Sequence, residues 1–316
     1  KEGIKTICHL GDIFDRRKYI NFNTLRSCKR YFFQKAEDLG IEIHMIPGNH
    51  DTYFKNTNEV NSPNLLLGEY DNITLYQEPT EIMLDRHKVL YLPWICGENY
   101  DRTMAKISET DAKTCFGHFE FAGYDMLPGM PNLHGMDSNA FASFDLVVSG
   151  HFHHRHSRGN ITYMGNPYEI TWSDYKDPRG FAIFDTVKGD LEYINNPFRI
   201  FHKIYYDDSD FEGCNDISNY DFNSIIGSNV KLIVTKKQDY ARFDHFVDKL
   251  YQCNLIDLKI IEDLSEFEDE ALDENIDLED TMTLLKEYVN AVETDLDKQR
   301  IKNLLQTLYI EAQDTV

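Results

Sequence analysis

The sequence repeats one short pattern, in which an apolar, β-prone run is followed by glycine and then by a polar side chain able to bind a metal ion. The pattern occurs as GDIFD (11–15), GNHD (48–51), GHFE (117–120) and GHFH (150–153). The runs before the glycines, at residues 4–10, 41–46, 114–116 and 144–148, are typical of strands. In an α/β sheet, ligands bind beyond the carboxyl ends of the strands. The pattern therefore predicts an α/β fold with one site built from four loops.

The residue types after these glycines suit a pair of metal ions. Asp12 offers two carboxylate oxygens and can bridge two cations, Asn49 offers an amide oxygen, and His118, His151 and His153 offer imidazole nitrogens. Mixed nitrogen and oxygen donors suit Mn²⁺, Fe or Zn²⁺ better than Ca²⁺. Taken singly, each residue has a structural alternative, such as an Asx turn, a helix cap or a hydrogen-bonded histidine. The ordered set favours a dinuclear metal centre.

The remaining pattern predicts three domains. A helix with Asn23 as its N-cap is expected between the first two strands, ending at Leu39 before Gly40, which implies a right-handed strand–helix–strand crossover. Further strands are predicted at residues 88–92 and 181–185. A second unit is expected to contain a strand (230–234), a helix (240–251) and a strand (256–261). We predict a main domain at 1–200, a small α+β capping domain at 201–262, and an acidic linker with a helix pair at 263–316.

Charge and composition restrict the function. The net charge is −22, to which residues 263–316 contribute −12. Such acidity argues against a stand-alone nucleic-acid binder and indicates that another subunit supplies most contacts to DNA, although bound cations would reverse the local field. Six scattered cysteines without CxxC spacing favour reduced thiols and a cytoplasmic protein. No apolar run approaches the roughly 18–20 residues needed to span a membrane.

Together, GDIFD, GNHD, GH and GHxH resemble the signature of the calcineurin-like metallophosphoesterases. The pattern over the whole chain, including DPRGFAIFD (177–185), is similar to the SbcD/Mre-type nuclease subunits of double-strand-break complexes, and in particular to the recombination-endonuclease subunits of T-even-like bacteriophages. This resemblance implies a β-sandwich flanked by helices in four α/β/β/α layers. It also implies an exo- or endodeoxyribonuclease acting in DNA recombination, repair and replication, in the host cytoplasm if the chain is phage-encoded.

The resemblance also implies a role for each metal-binding residue. Asp12 matches the bridging carboxylate, Asn49, His118 and His151 match the other ligands of one metal, and His153 matches a ligand of the second. The expected ions are two Mn²⁺, with Mg²⁺ as an alternative. In the family, an Asp-x-His motif on an earlier strand supplies the remaining ligands of the second metal, and no such motif precedes GDIFD here. We therefore expect the natural protein to extend further N-terminally and this chain alone to be weakly active or inactive.

Three further residues are candidates for catalysis. His50 matches the family's catalytic histidine, which would protonate the leaving 3′ oxygen or stabilise the transition state. Asp51 could orient His50 or only complete the turn. Asp15 could position His50 or the DNA backbone.

The C-terminal helices, predicted at about 278–292 and 296–312, carry apolar residues at helical spacing. Such stripes usually pack against their own domain, but here they follow a linker, so a groove on a partner is credible. In the family this region docks on the coiled-coil base of an SbcC-type ABC ATPase, and the nuclease is a homodimer within a heterotetramer that binds DNA ends and single strands. The candidate partner-binding residues are Leu285, Val289, Leu304, Leu305 and Leu308.

Two other classes of function stay open, a different phosphoesterase and a non-enzymatic scaffold. GDIFDRR also resembles the GDxVDRG motif of phosphoprotein phosphatases, with Arg16 at a phosphate-binding position, although Arg17 replaces the glycine. A phosphodiesterase of small molecules is a related alternative. A chain without the first motif could also be a non-enzymatic scaffold that only tethers the ATPase.

Overall fold

The computed structural model describes residues 3–209, 220–262, 289 and 298–305. The chain divides into two compact units. The first comprises Lys1–Pro167 and Pro178–Asn195, and the second comprises Tyr168–Asp177 and Asn196–Val316. The division at residues 200 and 262 stays a prediction. No helix in these described ranges combines the length and the apolarity that crossing a membrane requires.

The first unit contains two sheets and two hairpins. The smaller sheet has three parallel strands, in the order β1 (Thr6–His9), β2 (Glu42–Met45) and β3 (Ile73–Leu75). The larger sheet has six strands, named here from one edge to the other: β10 (His156–Arg158), β11 (Ile161–Tyr163), β9 (Leu146–Ser149), β6 (Thr114–Gly117), β5 (His87–Leu92) and β4 (Thr80–Leu84). The hairpins are β7 (Asp125–Leu127) with β8 (Met130–Pro131), and β12 (Gly180–Asp185) with β13 (Asp190–Asn195). The central strands β11, β9, β6 and β5 are parallel, and the edge strands are antiparallel to their neighbours.

A long helical segment joins β1 to β2. It begins with α1 (Phe22–Cys28), passes through a π-helical turn (Lys29–Phe33), and ends with α2 (Gln34–Asp38). Asn21 caps α1, because its side-chain oxygen accepts hydrogen bonds from the backbone N–H groups of Asn23 and Thr24. The prediction that Asn23 is the N-cap is therefore wrong by two residues. Two shorter helices, α3 (Ser62–Leu66) and α4 (Tyr100–Glu109), follow later in this unit.

The two sheets of the first unit pack face to face between helices. Because side chains alternate along a strand, Tyr91, Phe116 and Val148 of the larger sheet face the smaller one, together with Ile46. On the outer face of the smaller sheet, Phe33 and Ala36 of the helical segment pack against Ile43 and Met45. On the outer face of the larger sheet, Leu90, Cys115 and Val147 pack against Ile107 of α4. The predicted α/β fold in four layers is confirmed.

The second unit has a parallel sheet of three strands, β14 (Phe201–Asp207), β15 (Asn229–Lys236) and β16 (Asp257–Ile261), with β15 in the centre. Helix α5 (Tyr240–Gln252) connects β15 to β16 and buries Phe243, Phe246 and Leu250. The predicted strand–helix–strand order is confirmed. Beyond residue 262, residue 289 and residues 298–305 are helical. The rest of the predicted helix pair, with Leu285 and Leu308, and the acidic linker lie outside the described residues.

Candidate metal centre

Four loops, which follow β1, β2, β6 and β9, bring four of the predicted ligands together. Nε2 of His118 lies 3.1 Å from Oδ2 of Asp12 and 2.9 Å from Oδ1 of Asn49. Nδ1 of His151 lies 3.0 Å from the same oxygen of Asn49 and 3.1 Å from Nε2 of His118. The donor atoms of Asp12, His118 and His151 all lie within 4.8 Å of one another. One compact group of oxygen and nitrogen atoms results.

The atoms that meet here are of the kinds that bind metal ions. Nδ1 of His118 lies 2.7 Å from the carbonyl oxygen of Leu10, so Nδ1 carries a proton and Nε2 is the nitrogen that can bind a metal. The oxygens of Asn49 and Asp12 that face Nε2 carry lone pairs that can bind the same ion. Ligands at right angles around a cation with bonds of about 2.1 Å would be about 3.0 Å apart. The residues present therefore fit a divalent cation.

Burial and mutual charge determine how this group titrates. Burial acts to raise the pKa of Asp12, but the imidazoles of His118, His50 and His151 outweigh it and hold that pKa below its usual range. Burial acts to lower the pKa of His118, but the Asp12 carboxylate outweighs it and raises that pKa. Burial, reinforced by the charge of His118, holds the pKa of His151 well below its usual value. His151 is therefore a neutral donor, the form that binds a metal.

Two glycines let the first two loops approach each other. Gly11 has a φ of +92° and Asp12 a φ of +55°, so the chain turns sharply through the left-handed region directly after β1. A Cβ atom on Gly48 would overlap the carboxylate of Asp12, and one on Gly11 would lie 2.8 Å from Nδ1 of His118. Close contact thus requires glycine at both positions, and at Gly11 the positive φ requires it as well.

The carboxylate of Asp51 ties these two loops together. Its Oδ2 accepts hydrogen bonds from the backbone N–H groups of Asp12 (2.7 Å) and Gly48 (2.8 Å). Its Oδ1 accepts from the N–H of Ile13 (3.0 Å) and the hydroxyl of Ser62 (3.2 Å). Burial, reinforced by the charge of Asp12, raises the pKa of Asp51 to about 7. These contacts favour the alternative in which Asp51 completes the turn.

His50 is held from two sides. Its backbone N–H donates to Oδ1 of Asp12 at 2.7 Å, and its Nδ1 lies 2.6 Å from the carbonyl oxygen of Asp15. The carboxylate of Asp15 points elsewhere, since its side chain is 90% exposed and lies 3.7 Å from Nε of Arg16. The backbone of Asp15, rather than its carboxylate, therefore makes the contact with the ring of His50.

His153 is exposed and lies outside the group of potential ligands formed by Asp12, His118 and His151 in the described part of the chain. The charge of His153 contributes to the low pKa of His151, so the two rings interact electrostatically. The carbonyl oxygen of His153 accepts hydrogen bonds from Asn166 at 3.2 Å and from Arg179. The loop is thus anchored by its backbone, with the imidazole at the surface.

The sequence reasoning missed Trp94, whose ring lies beside two of the candidate ligands. The centroid distances are 5.5 Å to His151 and 6.0 Å to His118. The backbone N–H of Trp94 donates to the carbonyl oxygen of Pro47 at 2.9 Å, which joins this segment to the GNHD loop. Trp94 comes two residues after the carboxyl end of β5, a parallel strand. The candidate ligands were predicted as polar residues that follow glycine at the ends of strands. Trp94 also lies beyond the end of a strand, but its side chain cannot bind a metal ion and no glycine precedes it.

Comparisons with known proteins identify what this chain is similar to. The model of the calcineurin-like phosphoesterase family matches residues 1–155, a range that contains all the predicted ligands and His50. The chain is also similar to exonuclease subunit 1 of Enterobacteria phage T4. The two are 32% identical over 315 residues, in an alignment that covers 99% of this chain and 89% of that protein.

Proposed function

Since the chain belongs to the calcineurin-like phosphoesterase family, we propose that it is a metal-dependent nuclease that hydrolyses DNA phosphodiesters within an SbcCD-like recombination complex. The name of the T4 relative, an exonuclease subunit, supports a nuclease that works with a partner. The observation that carries the proposal is the meeting of four potential ligand atoms, with neighbouring atoms 2.9–3.1 Å apart, after four strands. This spacing is the one expected for ligands around a divalent cation.

Asp12, Asn49, His118 and His151 would hold one divalent cation, and Asp12 with His153 would contribute to a second. The mixed donors favour Mn²⁺. When bound, such ions polarise the phosphate and supply a nucleophile from water at neutral pH. The carbonyl of Leu10 keeps Nε2 of His118 available as a donor, and the backbone N–H of His50 fixes the orientation of the Asp12 carboxylate.

His50 would act as the acid. Nδ1 of His50 donates a hydrogen bond to the carbonyl oxygen of Asp15, so Nε2 is the nitrogen that would transfer a proton to the leaving oxygen. Two groups of the GDIFD loop hold His50, the carboxylate of Asp12 and the carbonyl oxygen of Asp15. The same loop would therefore position both the acid and the metal site. Asp51 would fix this loop to the GNHD loop rather than exchange protons with the substrate.

A basic segment next to the site supports a polyanionic substrate. Residues 16–35 contain seven Lys and Arg and no Asp or Glu, in a chain of net charge −22. Five of these cations are exposed, namely Arg16, Lys18, Arg26, Arg30 and Lys35. The segment begins directly after Asp15, which contacts His50. A local basic surface of this kind suits a phosphate backbone. The net negative charge indicated that another subunit makes most of the contacts to DNA. We infer that this chain makes some of these contacts itself.

We also propose that the C-terminal helix pair binds the ABC ATPase and that the nuclease acts as a homodimer. In the helix at 298–305, Leu304 is 60% exposed and therefore available to a partner, whereas Val289 is 5% exposed. Replacing Leu304 by Glu should weaken ATPase binding without changing metal affinity.

The decisive experiment compares hydrolysis of linear duplex DNA and of a phosphopeptide by the protein in Mn²⁺. We expect release of nucleotides from DNA, loss of that activity in Asp12→Asn, and no loss in Asp101→Asn, an exposed carboxylate of α4. Hydrolysis of the phosphopeptide alone would indicate a phosphatase. Binding of the ATPase with neither activity would indicate a scaffold.

A further inference from the structure

The loop that follows GNHD carries two exposed aromatic rings. Tyr53 and Phe54 are 43% and 48% exposed, and their ring centroids lie 4.8 Å apart at an interplanar angle of 78°. Neither ring belongs to the hydrophobic clusters formed by the described residues. Exposed apolar groups placed side by side in this way are typical of a binding surface rather than of a core.

The backbone of this loop is firmly held. The N–H of Tyr53 donates to the carbonyl oxygen of Val60 at 2.9 Å, which closes the loop on itself. Nδ2 of Asn58 donates to the carbonyl oxygen of Trp94 at 2.7 Å, and Trp94 packs beside His151. Presenting two rings on a fixed backbone lowers the entropy lost when a ligand binds to them.

The rings lie close to the proposed acid. Tyr53 and Phe54 follow His50 by three and four residues, and a chain spans at most about 3.6 Å per residue. Their Cα atoms are therefore within about 11 and 14 Å of that of His50. Successive bases in a stacked strand rise by about 3.4 Å, so the rings are within a few nucleotides of the phosphate at the metal centre.

We propose that Tyr53 and Phe54 form a platform for an unpaired base next to the phosphate that is cleaved, with one ring stacking on the face of the base and the other contacting its edge. This inference rests on the proposed nuclease function and specifies its substrate as a single strand or a frayed duplex end. Every base has a π face, so aromatic stacking binds bases regardless of sequence. The exposed Lys55 beside the rings supplies a charge for the backbone phosphate. A base within a duplex is already stacked on its neighbours and cannot use this platform without unpairing.

The test measures binding of single-stranded oligonucleotides that carry 2-aminopurine at successive positions, without added metal. Stacking should quench the fluorescence at one or two positions. Tyr53→Ala and Phe54→Ala should abolish that quenching and weaken binding about tenfold. Tyr53→Phe and Phe54→Tyr keep an aromatic ring and should retain both. Phe181→Ala removes a 55% exposed ring from β12 and is the matched control, expected to change nothing.

Cleavage assays separate this inference from the proposed function. If the wild-type protein cleaves DNA, the alanine variants should show a KM for single strands raised about tenfold with kcat nearly unchanged. Unchanged quenching and KM in these variants, with the same melting temperature as the wild type, would overturn the stacking platform and leave the nuclease intact. Equal losses in Tyr53→Phe and Tyr53→Ala would also overturn it. Absence of DNA cleavage by the wild type would instead overturn the nuclease function.

Discussion

At the scale of single residues, the arrangement around His50 separates the proposed metal binding from the proposed proton transfer. The proposed ligand Asp12 receives its hydrogen bond from the backbone N–H of His50, not from the imidazole. Any residue other than proline at position 50 keeps that N–H. The proposed acid can therefore be removed without removing this hydrogen bond to Asp12.

Replacing His50 by Gln should lower kcat on DNA by about 10²–10⁴, the usual contribution of a general acid. The Mn²⁺ content, measured by metal analysis after gel filtration, should stay that of the wild type. Asp12→Asn is the contrasting variant and should lose both metal and activity. Loss of metal in His50→Gln would reassign His50 to a structural or ligand role.

Asp51 permits a second prediction at this scale. Its buried carboxylate accepts hydrogen bonds from three N–H groups and one hydroxyl. In Asp51→Asn, one oxygen becomes an NH₂ group that faces donors, which should lower the free energy of unfolding by about 2–4 kcal/mol. Ser62→Ala removes a single donor and should cost about 1 kcal/mol. Urea unfolding measures both, and equal effects would show that the carboxylate does not hold the loops.

At the scale of strands and helices, a polar cluster lies between the two sheets of the first unit. Nδ1 of His44 on β2 lies 2.6 Å from the hydroxyl of Tyr76, and the two rings are stacked. The hydroxyl of Tyr91 on β5 donates to Sγ of Cys8 on β1 at 2.9 Å. Burial raises the pKa of the Cys8 thiol to about 11, so this cysteine is a packing group rather than a nucleophile.

This cluster predicts a pH dependence of stability. Burial lowers the pKa of His44 below its usual value of 6.5, against a smaller opposing effect of Glu42. Below pH 6.5 the unfolded chain therefore binds more protons at this position than the folded chain, and stability falls as the pH drops toward the folded-state pKa. His44→Gln should have a flatter profile of unfolding free energy between pH 7 and 5. Parallel profiles for the two proteins would contradict this assignment.

The sequence predicted the strands that precede the candidate ligands better than the elements at the edges. β1, β2, β6 and β9 were found because apolar runs end there at glycine. β10 was missed because its residues, His156–Arg158, contain no apolar side chain. It is a strand because its backbone pairs with β11. α4 was missed because only Thr103 and Ile107 of its ten residues are buried, too few for a helical period.

The same limit applies to the candidate site. Donor types and their order in the chain can be read directly from the motifs, so Asp12, Asn49, His118 and His151 could be named together. Contacts made by the backbone have no residue signature. That Leu10 orients His118, and that Asp15 contacts His50 through its carbonyl, followed only from the structure.

At the scale of the whole molecule, one buried acid holds a separated segment in the second unit. The carboxylate of Glu169 accepts hydrogen bonds from the N–H groups of Ile200 (2.7 Å) and Phe201 (3.0 Å) and from Nη1 of Arg199 (2.9 Å). It thereby joins Tyr168–Asp177 to the start of β14 within this unit.

Replacing Glu169 by Gln should destabilise the second unit by about 1–3 kcal/mol, because an NH₂ group replaces an acceptor at a buried site. Hydrogen exchange should show faster exchange of the amides of β14, while Mn²⁺ binding by the first unit is unchanged. Glu192→Gln, an exposed substitution on β13, is the control. Loss of metal binding in Glu169→Gln would contradict a role limited to the second unit.

DNA binding also belongs to this scale, and we expect it to depend more on where the charges lie than on the net charge. If the basic segment at 16–35 contacts DNA phosphates, replacing Arg26 and Arg30 by Gln should weaken DNA binding uniformly across sequences. The slope of log affinity against log salt concentration should fall by about 2, one unit for each lost phosphate contact.

The control is a second double variant with the same change of net charge. It replaces Lys113 and Lys188, two exposed cations elsewhere in the first unit, by Gln. If net charge controlled binding, both double variants would lose the same affinity. A reduced slope only in the Arg26 and Arg30 variant would show that a local basic surface binds DNA within an acidic chain.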